Sequence, residues 1–189
     1  MVPLMRWMIV ACRGLIARRN KGVAAVEFAL LAPMFVMVFA GTIDVGNALY
    51  IQTVLDSAVA AGTNYAVVNA SDVGSANGAS LASNIATIIA GTATSATVVV
   101  NDGPTVTVTN GTAVSSGTAS NANSCYCPTG SPPNWTWGSS VTCGNSCTGG
   151  GTAGKFVTVT ASYSITPFFP AYSFVRNGTM TVGSIAQTQ

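Results

Sequence analysis

The stretch from Val23 to Ile43 reads VAAVEFALLAPMFVMVFAGTI, and no other feature limits the fold so strongly. At ~1.5 Å per residue it makes roughly 31 Å of helix, enough to span the hydrocarbon core of a bilayer. Its polar members are Glu27 and Thr42. Pro33 would break a helix in water, but membrane helices tolerate proline as a kink. Arg6, Arg13, Arg18, Arg19 and Lys21 precede the run with no acid among them. Such a cationic flank orients a membrane helix with its N-terminal side in the cytoplasm. A buried helix of a soluble protein is the competing reading, and the length and flanking cations disfavour it.

Beyond residue 22 the balance reverses. Lys155 and Arg176 stand against Glu27, Asp44, Asp56, Asp72 and Asp102, and charged residues make up only 6% of the chain. No basic patch remains to bind nucleic acid. Histidine is absent, which removes the commonest general base and a frequent metal ligand. No nucleophile and base stand in a catalytic pattern, so an exported enzyme is disfavoured and neither cofactor nor metal is expected.

The helix is expected to continue past the membrane run through residues 44–70. Val45, Leu49, Gln52, Leu55, Val59 and Gly62 recur near helical spacing, beside Ile51, Val54 and Ala58, which predicts an amphipathic stripe. SDVGSANGAS, residues 71–80, is a turn-rich break. Ser80 is expected to cap a short helix ending at Gly91, with Leu81, Ile85, Ile88 and Ile89 inward. TVVVN and TVTVTN flank Asp102-Gly103, a pair suited to a tight turn with positive φ, which predicts a β-hairpin. Residues 110–154 read as a Gly/Ser/Thr/Asn-rich loop. FVTVTASYSI alternates as a strand until TPFFP breaks it, and GTMTVGSIAQTQ resumes as the last strand. The expected organisation is therefore a basic leader at 1–22, a transmembrane helix at 23–43, its continuation at 44–70 and an extracytoplasmic α+β domain at 71–189. Within the leader, Met5 to Ile16 is interrupted by Arg6 and Arg13 and reads either as a surface-lying amphipathic piece or as a disposable tail.

Cys12 lies in the leader; Cys125, Cys127, Cys143 and Cys147 form one cluster in the loop. Outside the cytoplasm disulfides persist. Cys125 and Cys127 are too close in sequence to pair comfortably. Two cross-pairings remain open: 125–143 with 127–147, or 125–147 with 127–143. A four-cysteine zinc site is the alternative, and the Cys-x-Cys spacing and the inferred compartment argue against it. Trp135 and Trp137 lie in the same loop. They read more readily as cover for the disulfides than as a sugar- or surface-binding patch. Asn69, Asn110, Asn134 and Asn177 begin glycosylation-type triplets that a chain rich in Asn, Ser and Thr produces by chance.

Glu27 remains to be explained. A carboxylate inside an apolar span costs several kcal/mol and is usually functional and paired. An ordinary signal peptide is one alternative, with an apolar core from Phe28 to Val36 and small residues at Val38-Phe39-Ala40 for cleavage before Gly41. An acid at the head of that core is unfavourable there. A cut after Gly22 instead creates an ammonium on Val23, about 6 Å along the helix from Glu27. On a neighbouring subunit that amine is a natural partner for Glu27.

KGVAAVEFAL resembles the class III signal of type IV pilin-like proteins. More closely, RRNKGVAAVEFALLAPMFVMVFAGTIDVGNAL, residues 18–49, is similar to the TadE-like pseudopilins of the tight-adherence (Tad/Flp) system, and the resemblance runs over residues 18–60. Gly22, Glu27-Phe28-Ala29-Leu30, Pro33 and Asp44 carry the resemblance. It implies an α+β, type IV pilin-like fold, with a long N-terminal helix packed on a small antiparallel sheet domain bearing a disulfide-stapled loop. It implies cleavage by a prepilin peptidase between Gly22 and Val23, with Glu27 as the register contact during subunit addition. The implied partners are other pilin and pseudopilin subunits, the inner-membrane assembly platform and the membrane itself. The implied location is the inner membrane, single pass, with the C-terminal domain periplasmic or extracellular and a place in the pilus open. The large domain favours a minor subunit over the bulk fibre subunit. The alternative function is a surface binding protein, exported by a signal peptide or anchored by one uncleaved helix.

Overall fold

The computed structural model of the chain describes residues 19–167 and 178–189. The leader reading over residues 1–18, with Cys12, and the break read at Phe168–Pro170 lie outside the described residues. The chain divides into two compact units, Met1–Val45 and Gly46–Gln189. Helix α1, Arg19–Val68, contributes to both and contains Pro33.

In the first unit α1 leaves its large apolar side chains in the open. Phe28 is 68% exposed, Leu30 75% and Phe39 67%. From Gly22 the helix is long and apolar enough to cross a membrane. An exposed apolar surface of this extent marks contact with a membrane or a partner. The Thr42 hydroxyl donates to the Val38 carbonyl at 2.8 Å, so this polar group is satisfied within the helix itself.

In the second unit the remainder of α1 packs with α2 (Gly78–Ala90) on a five-stranded sheet. The strands are β1 (Ser95–Val100), β2 (Thr105–Thr109), β3 (Thr112–Ser116), β6 (Phe156–Ser164) and β7 (Thr179–Gln187). Their order is β3-β2-β1-β6-β7, antiparallel throughout. A separate two-stranded hairpin joins β4 (Thr129–Ser131) to β5 (Asn134–Thr136). The period-2 pattern of β1 places Ala96, Val98 and Val100 on the buried face, with Val106 and Val108 of β2 and Val157, Val159 and Ala161 of β6. Leu55 and Val59 of α1 and Leu81, Ile85 and Ile89 of α2 cover that face. Burying each of these larger side chains contributes about 1.5–3 kcal/mol. Gly62 brings the two helices close: a Cβ there would lie 3.0 Å from atoms of both Ile85 and Ile89. The α+β architecture, with a long N-terminal helix on an antiparallel sheet, is as expected.

Several local expectations need correction. The stripe on α1 begins later than Val45 and Leu49; Leu49 is 59% exposed, while Leu55, Ala58, Val59 and Ala66 are buried. Ile51 is the first residue of α1 packed against the core and Leu55 the first buried in it. Helix α2 starts at Gly78 after Asn77, ahead of Ser80. Gly78 lets its first turn approach Val100 and Pro104, where a Cβ would lie 3.3 and 3.2 Å away. Ile88 is 41% exposed, because Leu81, Ile85 and Ile89, four residues apart, define the inward line. The hairpin turn takes its positive φ at Asn101 (51°) and Asp102 (54°), not at Gly103. Gly103 is needed for space: a Cβ there would lie 2.9 Å from the Ala122 amide nitrogen. The expected loop at 110–154 also holds β3, β4 and β5. Asn110-Gly111, both at positive φ, turns β2 into β3.

Asn101 ties the turn to the segment before the cysteines. Its side chain is fully buried and donates to the carbonyls of Ala122 at 3.0 Å and Ser124 at 2.6 Å. Its amide oxygen accepts from Phe156 N–H at 3.2 Å. Asn101→Ala leaves these buried groups unpaired and places alanine in the left-handed region. We expect a loss of about 3 kcal/mol in chemical unfolding of the full chain. An Asn101→Ala midpoint equal to that of the native chain would remove this tie from the account of stability.

Candidate functional site

Gly22, Val23, Glu27 and Pro33 all lie on α1. Gly22 is exposed, and a Cβ placed on it would meet nothing within 4 Å. Neither packing nor a left-handed backbone requires glycine there, and glycine inside a helix costs roughly 0.5–1 kcal/mol relative to alanine. Gly41 and Gly46 are equally open. What sets Gly22 apart is its place between the cations and Glu27. Val23 and Glu27 are four residues apart and share one helix face. Around Glu27 on the helix lie Val23, Val26, Phe28, Leu30 and Leu31, all more than half exposed. No other carboxylate occurs before Asp44, which is half-buried.

The four clustered cysteines form two disulfides, Cys125–Cys143 and Cys127–Cys147. This selects one of the two cross-pairings and leaves no thiolates in the cluster to ligate a metal. The lobe between them is closed at its base by reciprocal backbone hydrogen bonds between Tyr126 and Gly154. Cys125 and Tyr126 are buried, whereas most of residues 128–152 are exposed. The Trp137 ring meets Tyr126 edge-on at 5.9 Å between centroids.

The β4–β5 hairpin in this lobe lies over the sheet face opposite the helices. Pro133 reaches Gly183 of β7, where a Cβ would lie 3.0 Å from the proline Cα. Pro133, Asn134, Trp135 and Trp137 enclose a cleft of about 240 Å³ against Thr97 and Val99 of β1 and Thr158 and Thr160 of β6. Trp135 Nε1 is buried and finds no acceptor among the described residues. The tryptophans therefore line the outer sheet face, and Trp137 also meets Tyr126, which lies between Cys125 and Cys127. The period-2 alternation of β6 was the available signal, since it sends Thr158 and Thr160 to a second face that β6 leaves largely covered.

Two further links hold the lobe's ends to the connection between the helices. Lys155 Nζ donates to the Val73 carbonyl at 3.0 Å, and the Asn123 side-chain amide accepts from Ser75 N–H and donates to the Ser75 hydroxyl. Near the β1–β2 turn, burial pushes the Asp102 carboxyl above its usual range. Burial, and then the Asp102 charge, push the Tyr126 phenol up, while a hydrogen bond with Ser124 works the other way. Asn101 and Lys155 carried no sequence pattern that distinguished them from surface residues.

Residues 22–64 match the family model described as TadE-like protein. The match begins at Gly22 and takes in Glu27, Pro33 and Asp44. That segment of the chain is similar to TadE-like proteins. No curated protein and no solved structure matches the chain.

Proposed function

We propose that this chain is a minor, pilin-like structural subunit that serves assembly of a tight-adherence Flp pilus. The carrying observation is the TadE-like match beginning at Gly22, at the head of an exposed apolar helix whose fifth residue after that glycine is Glu27. In this reading residues 1–22 are a leader removed by a prepilin peptidase on the cytoplasmic side. Residues 23–43 cross the inner membrane, residues 44–70 continue the helix, and 71–189 form a periplasmic or extracellular domain. The two disulfides suit that compartment. Pilus subunits and the inner-membrane assembly platform are the partners, and the role is structural rather than enzymatic. Asp44 follows the span, and Pro33 kinks it.

N-terminal sequencing of the membrane-extracted protein tests the reading. The expected start is Val23, and the expected fate of a Gly22→Val variant is accumulation of the uncut precursor. An intact Met1, or a start at Gly41, overturns it in favour of a surface protein held by an uncleaved helix or exported by an ordinary signal peptide.

A further inference from the structure

We propose that the cleft between the β4–β5 hairpin and the outer sheet face binds a neutral carbohydrate, taking one pyranose ring of a glycan. The first observation is charge. From Gly103 to Gly154 the chain has no Asp, Glu, Lys or Arg, and none of the residues lining the cleft is charged. A site for an anionic polymer or a charged peptide requires opposite charges, which this one lacks.

The second observation is the mixture of groups. Trp135 and Trp137 present flat apolar rings, while Thr97, Thr158, Thr160 and Asn134 present hydroxyls and an amide. A hydroxyl both donates and accepts, and an amide carries both functions on separate atoms. A pyranose has the matching chemistry: a C–H face that lies on an aromatic ring and a rim of hydroxyls that donate and accept. An apolar peptide would bring no partner for the hydroxyls of Thr158 and Thr160 or the Asn134 amide, at about 1–3 kcal/mol for each group left buried and unpaired. The Thr97 hydroxyl is within 3.3 Å of Thr107 Oγ1, so it is already held in place.

The third observation is rigidity. The hairpin is fixed at its base by two disulfides and at its tip by the seat of Pro133 on Gly183. A site formed in advance loses little on ordering when ligand arrives. At about 240 Å³ the cleft is below the usual range of roughly 300–1,000 Å³ for drug-sized ligands. It accommodates a single ring, so affinity comes from repeated weak contacts along a polymer or between subunits.

The test uses the full chain in a zwitterionic detergent, since alkyl glycosides carry the proposed ligand class as headgroup. Trp7→Phe restricts indole fluorescence to Trp135 and Trp137. The probes are maltohexaose, cellohexaose and chitohexaose, with heparin and an uncharged apolar peptide as comparisons. A saturable fluorescence change with at least one neutral oligosaccharide is expected. Thr160→Val, close in shape but without the hydroxyl, is expected to weaken it several-fold. Trp137→Ala is expected to weaken it roughly tenfold or more. In both variants, unchanged mobility on a non-reducing gel shows that the disulfides persist. The proposal is overturned if none of the three sugars binds, if heparin or the peptide alone produces the response, or if Thr160→Val binds the sugar as the native chain does.

Discussion

Exchanging Glu27 for alanine is expected to leave membrane insertion and leader removal intact while reducing subunit incorporation roughly thirty- to hundredfold. Insertion should not suffer, because a carboxylate within a span opposes entry into lipid by about 2.5–3.5 kcal/mol. Removing it makes the helix a better membrane segment. Cleavage should persist because the proposed cut falls between Gly22 and Val23, a full helical turn before Glu27. In the proposed assembly the carboxylate gains a partner: the amine that cleavage would create on Val23 of an incoming subunit, in a low-dielectric setting, would stabilise Glu27 of its neighbour. Losing one member of such a desolvated pair costs about 2–5 kcal/mol, and the lower end of that range, about 2–2.7 kcal/mol, corresponds to the loss expected here. Glu27→Asp should restore part of the yield, since it keeps the charge on a shorter arm, whereas Glu27→Gln should resemble alanine. Fibre yield and surface adhesion of the Glu27→Ala strain are the measurements. Native levels of both would show that Glu27 has no pairing role in assembly.

The features legible in the sequence were those with a strong local cause. A long apolar run with one acid makes a helix of any register, and α1 follows it from Arg19 to Val68. Period-2 alternation in FVTVTASYS determines which β6 side chains face the core, and Val157, Val159 and Ala161 are buried there. What escaped depends on contacts between distant segments. Nothing near Leu49 announces that the domain's cover does not extend to it. The strand β3 is exposed along its whole length, so no apolar pattern marks it, although Asn110-Gly111 is a strong hairpin signal. The cystine lobe was the least legible part. Its composition reads as loop, and its place over the second sheet face follows from two disulfides and the absence of a side chain at Gly183. The proposed N-terminal site was legible because its chemistry is one-dimensional. A glycine, a cut and an acid four residues beyond the new terminus are defined by spacing alone. The tryptophan cleft is three-dimensional: Thr97, Thr160 and Trp137 share it only because β1 pairs with β6 and the hairpin folds back.

Removing the two disulfides is expected to have the largest effect on the second unit, and the order of removal distinguishes the pairings. Cys125–Cys143 and Cys127–Cys147 close loops with sequence separations of 18 and 20 residues. Each should contribute about 3 kcal/mol by restricting the unfolded chain. The lobe has little else to hold it, since most of residues 128–152 are exposed and Cys125 lies outside the main apolar core. Together the pair represents about 6 kcal/mol, a large part of the roughly 5–15 kcal/mol typical of a folded domain. A matched double substitution, Cys125→Ser with Cys143→Ser, removes one bridge and should cost about 3 kcal/mol. A crossed double substitution, Cys125→Ser with Cys147→Ser, breaks both and should cost about twice that. It also strands Cys127 and Cys143 as thiols whose native partners are gone. Denaturant midpoints of the full-length variants measure the difference, and proteolysis should cut the crossed variant within residues 128–152 first. A reversed order, with the matched variant the less stable, would mean that the native chain carries the other pairing, and equal stability would mean that it holds the lobe without disulfides.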